Sequence, residues 1–476
     1  MTAAFGRSIL TAMETPAPTP LPPPPPALPA QAAVPARHLS RAEREAYGRT
    51  LRDRVRRVDH DVWVTDARDM MPRLRANEDG RRVELLPFRH GRMAPSPFAF
   101  LRGAAAIMAP DMASLPHTGY FVQICGDAHL RNLGAFASPE GRIIFDVNDF
   151  DETCWAPWEW DMKRLAISVV LVGREAGTSD KVAAEAVASM MRSWRETLHE
   201  LADLPAIELA RYMVHRFAPE GPVGRVLGKA ERITALHARD ELTIPHPDGK
   251  PRLVEQKPKL SRVPDAESAA VLASLDGYRG TLGPNRQLVL DSYLAYDVAF
   301  KVGGTGSIGA RNYVVLCIGN GVDDPLILQV KEALPSCYEA LGLVPRDKRI
   351  SHHQGKRVAE GQHRMQTWTD PMLGWTQIDK VPFYVRQLSD HKASIDPADL
   401  KRSSLIEYAR VCGETFAKAH ARTGDAAILY GYAGESEKLD KAFAKMALLG
   451  ADHVTHDWEA MTGAIAKGEL DIEELE

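Results

Sequence analysis

Asp127 and Asn132 stand five positions apart in CGDAHLRNLG (125–134), directly after the apolar run YFVQI. Moving a phosphoryl group needs a carboxylate beside the attacking hydroxyl and an oxygen ligand for Mg²⁺ close behind it. A tight loop can turn both side chains to one side and so meet both needs. A second apolar run ends in FDVNDFDE (145–152), which offers Asp146, Asp149 and Asp151 as hard oxygen donors for a magnesium ion bridging phosphate groups. A single acidic turn is commonly structural. Two strand-end carboxylate clusters joined by a short hairpin form a stronger signal. His129 lies inside the first loop and joins Asp127 and Asn132 as a candidate catalytic group.

The pieces that would hold a nucleotide come later in the chain. KVGGTGSIGARNYVVL (301–316) reads as a glycine-rich hairpin, in which Gly303, Gly304, Gly306, Ser307 and Gly309 let backbone amides approach phosphates. PLILQVKEA (325–333) reads as a strand ending in Lys331, and RVAEGQHRMQ (357–366) as a polar helix bearing Glu360. Arg89, Arg92 and Arg102 flank the first catalytic strand and could clamp phosphate or an acidic substrate. Surface ion pairs are the competing role for them. His352 and His353 are adjacent and cannot share a helix face, which argues against a metal site there. His420 reads as a core histidine.

Asp127-x-x-x-x-Asn132 after Gly126, then a strand ending Asp149-Phe150, resembles the catalytic and metal-binding loops of protein kinases and aminoglycoside phosphotransferases. PWEWDMKRLA (157–166) fits the phosphotransferases, which carry a Pro and an Asp-Leu-Ala helix start at a set distance past the metal aspartate. Asp161 follows Asp149 by 12 positions, which favours Asp149 over Asp146 as the metal ligand. The resemblance implies that Asp161 caps its helix. It implies that Lys331 contacts the α- and β-phosphates, with Glu360 as ion-pair partner and Glu339 as a second candidate. It also implies that PFYVRQL (382–388) is the hinge strand beside adenine, and that FAKAHART (416–423) is the helix normally preceding the catalytic loop. Cys125 departs from the pattern, standing where His is usual. Because the nucleotide pieces follow the catalytic ones, the chain resembles a circularly permuted kinase. Permutation is cheap where termini lie close together on the surface. Residues 45–430 also resemble one bacterial family, domain of unknown function 2252. The matching stretches are RHGRMAPSPFAFLRGAA, CGDAHLRNLGAF, FDVNDFDETCWAPWEWDMKRLA, KVGGTGSIGARNYVVL and FAKAHARTGD.

The elements that must position these residues set the expected fold class: α+β, as a bilobed, permuted kinase-like fold. Residues 1–40 form a disordered Pro/Ala-rich tail, since 10 of the 20 residues from Pro16 to Pro35 are proline. Residues 41–285 form a mainly helical lobe with both acidic loops, 286–392 a β-rich nucleotide lobe, and 393–476 helices completing the first lobe. FAFLRGAAAIMA (98–109) reads as one buried helix, and HPDGKP (246–251) as a hairpin tip. The 476 residues are 45% apolar and 26% charged, enough for a large core. With 59 basic and 63 acidic residues the net charge is −4, which leaves no bulk positive field for nucleic acid. The longest apolar run, near Leu165 to Gly173, is too short for a bilayer. No apolar core follows Arg7, so a secretory leader is not expected. Five scattered cysteines without a CxxC suit a reducing cytoplasm. The expected activity is Mg²⁺·ATP-dependent phosphoryl transfer to a hydroxyl on a small molecule or protein. AMP transfer on the same fold and a non-catalytic pseudokinase are the alternatives. A metallophosphoesterase is a further one, suggested by Gly-Asp-x-His but lacking the additional histidine motifs.

Overall fold

The computed structural model describes residues 38–63, 68–138, 141–214, 221–232, 235–344, 353–388 and 393–474. The proline-rich stretch and His352 lie outside them. The fold is mixed α+β.

Its largest sheet has six antiparallel strands, in spatial order Gly374–Ile378, Val381–Gln387, Pro325–Glu332, Asn312–Ile318, Leu294–Lys301 and Leu260–Arg262. Side chains alternate across a strand with a period of two. Leu326, Leu328 and Val330 therefore share one apolar face with Val315, Phe383 and Val385, under the helix Asp265–Arg279 with its Val271 and Tyr278. The same alternation turns Gln329 and Lys331 to the opposite face, where the register sets them beside Arg386 and Tyr384. The sheet begins at Leu260–Arg262, earlier than the expected boundary at 286. Charged residues throughout 217–285 hide this short strand. Thr243–Ile244 pairs with Arg252–Leu253 across 246–251, the expected hairpin tip.

The rest of the chain is dominated by four long helices, Trp158–Glu175, Asp180–Leu201, Ser403–Thr423 and Lys438–Ala466. Trp158 stacks on Trp194 at 4.5 Å in the largest apolar cluster. Gly413 allows a close crossing of Asp180–Leu201 and Ser403–Thr423, because a Cβ there would lie 2.1 Å from the Met190 carbonyl oxygen. None of the described helices is long and apolar enough to cross a membrane. All five cysteines are free and buried.

Two local expectations change. The apolar runs before the acidic loops do not pair with each other. Phe121–Ile124 pairs with Cys154–Pro157, while Ile143–Val147 pairs with Leu133–Ala137. The segment 98–109 is two helices, Pro97–Leu101 and Ala105–Ser114, rather than one. The break falls at Gly103, where a Cβ would meet the Met93 sulfur at 2.5 Å. It leaves Arg102 at the C-cap of the first helix.

Candidate active site

The first acidic loop is held by its backbone. Gly126 has φ +83°, and a Cβ there would sit 2.3 Å from the Glu152 carbonyl oxygen, so only glycine fits. Asp161 accepts the N–H groups of Cys125 at 2.9 Å and Gly126 at 3.0 Å. Asp161 is thus no helix cap: it lies inside the first turn of Trp158–Glu175, and its carboxylate fixes the loop instead. Buried His420 stands 3.5 Å from Asp161, a core histidine as expected. Tyr338 donates its hydroxyl to the Gly126 carbonyl at 2.8 Å.

This scaffold presents Asp127, whose Oδ1 accepts Arg164 Nε at 2.8 Å and Nη2 at 2.5 Å. The Asn132 amide donates to the Asp127 carbonyl at 2.7 Å, which leaves its own Oδ1 as an acceptor. Burial, with the charges of Asp149 and Glu152, pushes the Asp127 carboxyl up to about 6 although Arg164 opposes the shift. His129 Nε2 lies 3.8 Å from Asp127 Oδ2. Burial and the neighbouring Arg102, Arg164 and Arg131 hold that imidazole well below its usual range, so it is neutral at pH 7.

The second acidic loop follows Ile143–Val147. Asp146 is turned away from it, into a buried ion pair with Lys418. Asp151 accepts the Tyr384 hydroxyl at 2.9 Å and pairs with the Lys331 ammonium. Burial would raise the Asp151 carboxyl, but Lys331 outweighs it and the net shift is downward. Asp149 shifts the other way, raised by burial and by Asp151 despite Lys331 and Arg386.

Lys331 therefore takes Asp151, not Glu360, as its partner. Glu360 pairs with Lys356 and with Arg364 on its own helix, at 3.5 and 2.9 Å. The reason lies in the helix Gln354–Met365, which meets the acidic loop through Arg357. That guanidinium donates to the carbonyls of Thr153 at 2.5 Å, Asp151 at 2.8 Å and Leu334 at 2.8 Å. Glu339 belongs to the short helix Cys337–Ala340, where its charge acts on buried Cys154.

The glycine hairpin closes over Asp127: a Cβ on Gly306 would lie 3.5 Å from the Arg102 carbonyl oxygen and 3.9 Å from Asp127 Oδ2. Three bonds from an upstream segment hold it down. Arg92 donates to the Gly303 carbonyl at 2.6 Å, Arg81 to that of Ile308 at 2.7 Å, and the Gly309 carbonyl accepts Arg82 N–H at 3.0 Å. Gly309 itself has φ +95°.

An open cleft lies between these loops. Of the residues singled out in the sequence, Asp127, His129, Asn132, Asp149 and Asp151 line it, together with Gly304, Gly306 and Ser307. Lys331 is buried behind Asp151; Gly303 and Gly309 shape the hairpin from outside the lining; Asp146 and Glu360 are committed elsewhere. The three expected clamp arginines separate. Arg89 is fully buried, bonded to Glu78, Asn77 and the Gly103 carbonyl. Arg92 pins the hairpin, and only Arg102 faces the cleft. Arg164, Arg357 and Tyr384 escaped sequence reasoning. Their partners are distant in sequence, and no local spacing marks them.

The geometry defines a mixed α+β protein whose polar cleft lies between a glycine hairpin and two carboxylate-bearing loops. The family model described as "Uncharacterized protein conserved in bacteria (DUF2252)" matches residues 81–464, and the chain belongs to that family. No curated protein and no solved structure matches it.

Proposed function

We propose that the protein is a Mg²⁺·ATP-dependent phosphotransferase acting on a hydroxyl acceptor. The observation that carries the reading is the meeting of three remote segments at one cleft: the Asp127–Asn132 loop, the Asp149–Asp151 loop and the 303–309 hairpin. A glycine hairpin, a buried lysine strand, a helix and a further strand follow one another along one sheet, the order expected of a nucleotide site.

The donor set suits magnesium. Among the described residues no three His, Cys, Asp or Glu side chains gather as a metal cage. Magnesium at phosphoryl-transfer sites instead uses one or two carboxylates plus phosphate oxygens and waters. Asp149 and the Asn132 amide oxygen are the groups that would hold it, and the ion would offset charge on the transferring group.

Asp127 is the base. It accepts the acceptor's proton while the acceptor oxygen bonds to the γ-phosphorus and the bond to ADP breaks. Arg164 orients the Asp127 carboxylate and favours its ionised form, and neutral His129 lies beside it. Lys331, buried behind the cleft, holds Asp151 in place through its ion pair.

Mg²⁺·ATP should raise the melting temperature through binding linkage, and Asp149→Ala should remove the magnesium-dependent part. No shift at millimolar Mg²⁺·ATP would overturn the reading. The released product separates phosphoryl transfer (ADP) from AMP transfer (pyrophosphate).

A further inference from the structure

The charges lining the cleft can be accounted for one by one. Asp127 is taken by Arg164, Asp151 by Lys331, and Glu332 by Arg311 at 3.1 Å. Glu152 accepts the Cys337 N–H at 2.6 Å. Arg81 donates from Nε to the Asn77 carbonyl and from Nη1 to that of Ile308. Three charged groups are held less firmly or not at all. Asp149, which among the described residues accepts the Asp151 N–H at 3.2 Å, is the magnesium candidate. The other two are cations, Arg102 and Arg131, and among the described residues neither guanidinium has a hydrogen-bond or ion-pair partner.

Both arginines line the same cleft. Arg102 is half-buried under the glycine hairpin, and burial with the positive charges of Arg131 and Arg92 brings it down to about 10, although Asp127 and Glu175 oppose the shift. Arg131 is exposed at the rim, four residues past Asp127 in the same loop. A half-buried guanidinium has five donors to satisfy, and the carboxylates that act on Arg102, those of Asp127 and Glu175, accept no hydrogen bond from it. An anion bound in the cleft at these side chains would satisfy the donors and add negative charge beside them. Bidentate recognition of phosphate or carboxylate is what arginine does best. Arg131 shares its loop with the proposed base, which ties a group bound there to the Asp127 end of the cleft.

We infer that Arg102 and Arg131 form an anion subsite for the acceptor, so that the substrate is a hydroxyl compound that also carries a phosphate or carboxylate. This rests on the phosphotransferase reading and names the substrate class for that site.

The test fills the nucleotide site with Mg²⁺ and a non-hydrolysable ATP analogue, then titrates inorganic phosphate or acetate calorimetrically. Saturable binding of one of them by the wild-type protein is expected, and which one binds separates phosphorylated from carboxylated acceptors. Arg131→Ala and Arg102→Ala should each weaken that binding about tenfold or more. Arg102→Lys, which keeps charge and bulk, covers the case in which the alanine variant does not fold, and should weaken it by a smaller factor. The melting shift caused by the analogue should persist in all three. No anion binding by the wild type, or equal binding by Arg131→Ala and Arg102→Lys, overturns the inference. So does loss of the analogue shift in the variants, which would make the arginines ligands of the nucleotide's own phosphates. No analogue shift in the wild type overturns the phosphotransferase reading itself, and this inference with it.

Discussion

Asp127 carries the proposed chemistry in a setting that opposes its charge. Burial and Asp149 favour the protonated acid, and Arg164 favours the carboxylate; the balance sits at about 6. A general base must be deprotonated, so kcat/KM should rise with pH through about 6 and level off above it. A pH–rate profile checks this, and a rate that falls as pH rises through that range would refute the role. Asp127→Asn should lower transfer by about 10²–10⁴-fold while Mg²⁺·ATP still raises the melting temperature. The sequence revealed Asp127 and Asn132 because their spacing is local. It did not reveal Arg164, 37 residues away, whose bond to Asp127 is a product of packing.

At the scale of elements, the site depends on loops held by their backbones. Gly126→Ala places a side chain at φ +83° and against the Glu152 carbonyl. The expected loss is about 2–4 kcal/mol, readable by denaturant unfolding, with activity falling further than stability. Arg92→Ala removes one of the three bonds pinning the glycine hairpin. The KM for ATP should rise about tenfold with little change in melting temperature; an unchanged KM would show that the hairpin holds its place without this bond. The corrected ion pair belongs here too. Lys331 was legible as a strand-end lysine, but the strand alternation only sets its face. Which carboxylate waits on that face depends on how the helix Gln354–Met365 is seated, and Arg357 seats it against the acidic loop.

Over the whole molecule, early and late parts of the chain close on one another. Helix Ser403–Thr423 sends Lys418 to Asp146 on the strand Ile143–Val147, and both side chains are buried. Lys418→Ala leaves a buried carboxylate unpaired and should cost about 3–5 kcal/mol. The double variant Asp146→Asn/Lys418→Met should recover most of it, and equal melts for the single and double variants would refute the coupling. Ala393–Ser394, after the strand Val381–Gln387, pairs with Leu133–Ala137, and so ties the large sheet's chain to the catalytic region. By itself the sequence determined the mixed α+β class, the family, the two carboxylate loops and the glycine hairpin. Each of these is written in short-range patterns: apolar period, turn residues and local spacing. Only the tertiary structure decided that Asp151 rather than Glu360 takes Lys331, that Asp161 pins a loop rather than caps a helix, and that Arg102 alone of three arginines reaches the cleft. Ion pairs and buried hydrogen bonds join residues by proximity in space, and nothing in the local sequence encodes which charge will find which partner.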